Sequence, residues 1–191
     1  MIYDKKKIFP LHLNKLSISF VNGTPAQKSF LRRSWEILEY HLSGQLKFDW
    51  VKHGGAITIK FNGSRSQSFI GSDSIGVWEN KSKPSMRFKA AHSFDSRIVL
   101  HEPFHMLGCK HQHVEQQLMQ SNRYGVNIEN DELSILRYRQ KGEKRNYHPS
   151  PGDIDFLNRY DEFRSVGEEW RMNQLALKEK AKVQRMASAQ G

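Results

Sequence analysis

The sequence of 191 residues contains a single cysteine. That excludes a disulfide within the chain, so stability has to come from packing and from whatever the chain binds, and the redox compartment stays unread. No apolar run is long enough to span a bilayer, and the basic start Met1-Ile2-Tyr3-Asp4-Lys5-Lys6-Lys7 is not followed by the apolar stretch of an export signal. A soluble chain with no membrane partner is expected, and its localisation is left open. Acidic residues are the scarcer charge, 20 Asp and Glu against 30 Lys and Arg, for a net charge of +10. Such a surplus attracts polyanions or acidic peptides. The basic residues are scattered and not interleaved with aromatics in one patch, which reads as a solvated surface and does not indicate nucleic acid beyond the net charge. The hydrophobic fraction is low, 37%, but includes 11 Phe and 4 Trp. One globular domain with a real core is expected, and a monomer.

Alternation of apolar and polar residues predicts strands at Leu16, Ile18 and Phe20, at Leu46, Phe48 and Trp50, at Ile57, Ile59 and Phe61, and at Met86 with Phe88. Thr24 followed by Pro25 is a helix start, and Leu31, Trp35, Leu38 and Leu42 recur at helical spacing up to Gly44, so a helix should cover one face of the sheet. Asp95 or Ser96 can cap a second helix that runs to Leu107. Ser150, Pro151 and Asp153 form a capping-box-like start for a later helix. From Glu168 onward the residues are charged and helix-favouring, an exposed tail that frays toward Gly191.

Residues 101 to 111 read His-Glu-Pro-Phe-His-Met-Leu-Gly-Cys-Lys-His. On a helix, His101 and His105 lie four residues apart on one face and can reach a single metal, with Glu102 beside them. Gly108 permits the left-handed turn that ends the helix. The reversed chain could bring His111 to a third ligand position, leaving the fourth tetrahedral position open, as in a hydrolytic zinc site. His113 competes as third ligand only against the Gly-x-x-His spacing. Cys109 reads as a small buried side chain.

The pattern HExxHxxGxxH, with Met119 eight residues after His111, resembles the metzincin zinc endopeptidases, and most closely their matrixin-like members. Arg97 to Leu100 resembles the apolar lead-in of the family's active-site helix, and Ser150 to Ile154 with Leu157 and Asn158 the start of its C-terminal helix. The likeness extends over roughly residues 10 to 163. It implies an α/β (α+β) zincin fold: a twisted mixed sheet, an active-site helix and a smaller C-terminal subdomain. The implied layout is a catalytic domain over 1–165, with an upper part at about 10–108 and a lower part at about 109–165, followed by a helical tail at 166–191. It implies one catalytic zinc on His101, His105 and His111, Glu102 as general base, Met119 as a hydrophobic floor beneath the metal, and a polypeptide substrate. The substrate would pair with an edge strand at Ser74, Ile75, Gly76, Val77 and Trp78. The alternatives are a zinc-retaining binding module without catalysis and a basic nucleic-acid-associated protein.

Two residues depart from the pattern. Pro103 lies inside the motif, where it has no N–H to give to Val99; in a helix interior this costs about 3 kcal/mol. Either the helix begins late, near Leu100, or it bends. Phe104 stands where the family places a small residue.

Overall fold

The computed structural model describes residues 3–5, 7–63, 67–69, 85–109 and 148–188. Among these residues five strands form one twisted sheet, β1 (Lys15–Phe20), β2 (Lys47–Trp50), β3 (Ile57–Gly63), β4 (Gln67–Phe69) and β5 (Ser85–Lys89), in the order β2-β1-β3-β5-β4. The first four in that order run parallel, and β4 joins β5 antiparallel at one edge. Parallel neighbours need a crossover, and helix α1 (Pro25–His41) supplies it between β1 and β2.

The alternation read from the sequence sets which face is buried. Leu16 lies opposite Phe48, Ile18 opposite Ile57, and Ile59 opposite Met86, and all six are buried. The other face carries Lys15, Ser17, Lys47, Asp49, Lys60 and Arg87, the pattern of a half-covered sheet. Helix α1 lies on the apolar face. Thr24 caps it through a capping box with Gln27, and Leu31, Trp35 and Leu38 form its buried stripe. Gly23, just before the cap, takes a φ of 109°, and a Cβ there would meet the Phe61 ring at 2.3 Å.

Helix α2 (Ser96–Met106) follows β5. Asp95 caps it, its Oδ1 accepting from the N–H groups of Arg97 and Ile98. The helix therefore starts at Ser96, and Pro103 lies in its interior, which corrects the expectation of a late start near Leu100. Helix α3 (Pro151–Asn158) begins with the expected capping box between Ser150 and Asp153. Helix α4 (Tyr160–Ser188) follows directly. The boundary expected at 165/166 falls inside this helix, and Gly167 and Arg171 beyond it are buried. From Met172 on the helix is largely exposed. No helix among the described residues is long and apolar enough to cross a membrane.

Among the described residues before β1 no helix or strand forms, and the chain runs as a strap. Ile8 and Phe9 are buried, and two arginines of α4 hold the backbone around them. Arg164, 1% exposed, donates to the carbonyls of Phe9, Pro10, Leu11, Leu13 and Gln45 and pairs with Asp161. Arg171 donates to the Ile8 carbonyl and to Glu168. A buried guanidinium is tolerable because this fan of acceptors satisfies its donors.

Candidate metal centre

Seven residues of α2 are buried: Ile98, Val99, Leu100, Glu102, Pro103, Phe104 and Met106. His101 and His105 are half-buried and stack one turn apart. Their ring centroids lie 4.8 Å apart with the planes nearly perpendicular, and the two Nε2 atoms approach to 3.1 Å.

Nδ1 of His105 lies 2.8 Å from the Cys109 carbonyl. A carbonyl only accepts, so Nδ1 carries the hydrogen and Nε2 presents its lone pair. Without a metal, that lone pair accepts from Nε2–H of His101. Burial lowers the His105 pKa to about 4, helped by the charge of His101 and more weakly by Lys7; the bond to Cys109 acts in the opposite direction. His105 is therefore neutral at pH 7, the form a metal needs.

The carbonyl that orients His105 is placed by the end of α2. The N–H of Gly108 donates to the His105 carbonyl and that of Cys109 to the Phe104 carbonyl, with Gly108 at a φ of 98°. This is a Schellman motif with glycine at the position that requires the left-handed conformation. The strap closes the same turn from outside, where Asp4 N–H donates to the Gly108 carbonyl at 2.7 Å and Tyr3 bridges Cys109 in antiparallel fashion.

Two nitrogens bound to one zinc at about 2.0–2.1 Å and a tetrahedral angle lie roughly 3.3–3.4 Å apart. The observed 3.1 Å fits that requirement closely. Among the described residues no group of three or more His, Cys, Asp or Glu side chains gathers to hold a metal. The expected third ligand His111 lies outside the described residues, as do Met119 and the edge segment Ser74, Ile75, Gly76, Val77 and Trp78. Within them, the antiparallel edge strand is Gln67–Phe69.

Glu102 is 5% exposed, within the helix turn that carries both histidines. The Cys109 thiol is buried and packed in the core, and burial pushes its pKa well up. Phe104 is fully buried, its ring 6.5 Å from that of Phe156 on α3. It fills the core at the place where a smaller residue was the family expectation.

Sequence reading missed two contributors. The Cys109 carbonyl carries no side-chain signal; only the glycine at 108 hints that the backbone returns toward His105. Trp35 appeared only as an apolar residue of α1, yet its indole N–H donates to the Val99 carbonyl at 2.7 Å.

The sheet order, the crossover helix and the capped helix define a mixed α/β fold. Two solved structures of myroilysin share it. One has a TM-score of 0.58 at 17% identity, covering 81% of this chain and 95% of the other. The second has a TM-score of 0.55 at 19% identity, covering 80% and 88%. No protein-family model matches the sequence, and no curated protein matches it.

Proposed function

We propose that this chain is a zinc-dependent endopeptidase acting on extended polypeptide. The observation that carries the reading is the convergence of the two Nε2 atoms of His101 and His105, 3.1 Å apart, inside the HExxHxxGxxH pattern. The likeness in fold to the solved structures of myroilysin supports it.

His101 and His105 would hold the zinc, with His111 as the third ligand that the spacing supplies. Bound there, zinc supplies Lewis acidity, lowering the pKa of water and polarising a carbonyl. Glu102 is the group that takes the proton from the attacking water and returns it to the leaving amine. The Cys109 carbonyl keeps His105 in the tautomer whose Nε2 is free to bind. Trp35 and the Schellman turn hold the helix that carries all three side chains.

The test is metal analysis together with cleavage of a peptide library, with Glu102→Ala as control. Zinc in both forms and cleavage by the parent alone supports the reading. Zinc without cleavage in either form would leave a binding module, and absence of zinc from protein prepared without chelators would overturn the metal assignment.

A further inference from the structure

Ile8 of the strap lies between two glycines that no side chain could replace without collision. A Cβ on Gly108 would meet Ile8 Cγ1 at 2.9 Å, and one on Gly167 would meet Ile8 Cγ2 at 2.7 Å. The first glycine ends the histidine-bearing helix and the second lies on α4. The strap is thus wedged between the candidate metal centre and the C-terminal helix, and Arg164 and Arg171 fasten it to the latter through the carbonyls of residues 8, 9, 10, 11 and 13.

At its other end the strap meets the turn that orients His105. The Schellman bonds secure the N–H groups of Gly108 and Cys109, but they leave the Gly108 carbonyl without a helical partner. Asp4 N–H provides that partner. A continuous set of contacts therefore runs from Arg164 along the strap to Asp4, to the 108–109 turn, and through the Cys109 carbonyl to Nδ1–H of His105.

We propose that the strap is a latch for the metal centre, with Arg164 and the backbone N–H of Asp4 as positioning groups that hold His105 ready to bind. This rests on the zinc reading above and adds to it the part of the chain that regulates metal affinity. A partner that orients a ligating histidine through its second nitrogen is worth about ten- to a hundredfold in metal affinity. A latch that sets such a partner should be felt on the same scale when released.

The experiment uses the full-length chain and two substitutions that leave both histidines and Cys109 in place. Asp4→Pro removes the N–H that Gly108 accepts, and Arg164→Lys keeps the charge but cannot serve the fan of carbonyls. Ile59→Val, which weakens the sheet core away from the strap, controls for lost stability. Zinc affinity is measured by competition with a chromophoric chelator, at a temperature where circular dichroism shows each variant folded. The state of the His105 ring is read in metal-free protein from its nitrogen NMR shifts.

Both strap variants should lose about tenfold or more in zinc affinity and show His105 no longer fixed with its hydrogen on Nδ1, while Ile59→Val binds zinc as the parent does. Strap variants that are less stable but keep the parent's zinc affinity and His105 tautomer would reduce the strap to a structural brace and overturn the proposal. If the parent takes up no zinc, the endopeptidase reading fails by itself, and the tautomer measurement still decides the latch. A His105 ring unchanged in both strap variants sinks it.

Discussion

The indole N–H of Trp35 on α1 donates to the Val99 carbonyl on α2 at 2.7 Å, the carbonyl that Pro103 leaves without its helical donor. A proline in this helix interior is tolerated because a side chain 64 positions away in sequence replaces the missing backbone bond. The replacement also ties α1 to the helix that carries His101 and His105.

The two residues should therefore be energetically coupled. Trp35→Phe removes the bond and leaves a buried carbonyl unsatisfied, an effect of about 1–3 kcal/mol beyond the lost packing. Pro103→Ala in the parent should gain less than the roughly 3 kcal/mol expected for removing a helix proline, because Trp35 already serves Val99. In the Trp35→Phe background the alanine N–H takes over and the gain should be larger. Urea unfolding of the four proteins gives the coupling energy, and additive effects would mean that the indole bond does not compensate for the proline.

Glu102→Ala should keep zinc and lose at least about a hundredfold in peptide hydrolysis, the usual order for a general base. His105→Ala should lose most of the zinc, which the parent should hold at about one ion per chain. Metal analysis and cleavage rates on the same preparations separate the two roles. Equal cleavage by the parent and Glu102→Ala would assign the proton transfer to another group.

The pH dependence of the metal-free protein follows from His105. Its pKa is about 4 when folded and about 6.5 when unfolded, so between those values the unfolded chain binds more protons. The contribution is fully present above about pH 6.5 and is lost progressively as pH falls toward 4, on the order of 2–3 kcal/mol in all. Unfolding in urea with chelator present, across pH 7 to 4, should show this decline in the parent, and His105→Gln should flatten it. Identical pH profiles would remove His105 as the cause.

Gly108→Ala should be costly for two independent reasons. A φ of 98° disfavours a side chain, and the new Cβ would lie 2.9 Å from Ile8 Cγ1 and 3.2 Å from its backbone. Ile8 has no room to withdraw, since Gly167 borders it on the other side. A loss of roughly 2–4 kcal/mol is expected by chemical denaturation. A change within about 0.5 kcal/mol, the range of ordinary surface substitutions, would show that the turn relaxes.

Much of this architecture was legible because local rules and tertiary packing agree. Thr24 with Gln27 and Ser150 with Asp153 form the caps their spacing announces, and the alternating residues of β1 and β3 face the core as expected. The histidine spacing and Gly108 gave half of the candidate site. What stayed hidden depends on contacts between distant residues. Arg164 and Arg171 look like solvent-facing charges in a basic helix, and nothing local says that four backbone carbonyls before β1 will surround the first and that the Ile8 carbonyl will meet the second. Ile8, Phe9 and Pro10 follow a run of lysines and show no periodicity, so their burial could not be read without α4. Pro103 misled for the same reason, because its remedy lies on another helix.

The wedge of Ile8 between Gly108 and Gly167 also fixes when the site can be finished as the chain is made. Synthesis runs from the N-terminus, so the strap and then His101 and His105 emerge before Arg164, Gly167 and Arg171 exist to hold the strap down. A nascent chain has both histidines well before it has their final surroundings. On the latch proposal, completion of the candidate centre waits on the synthesis of α4, and a chain terminated short of Arg164 would carry the histidines, Glu102, Gly108 and the Asp4 N–H but not the arginines that fasten the strap.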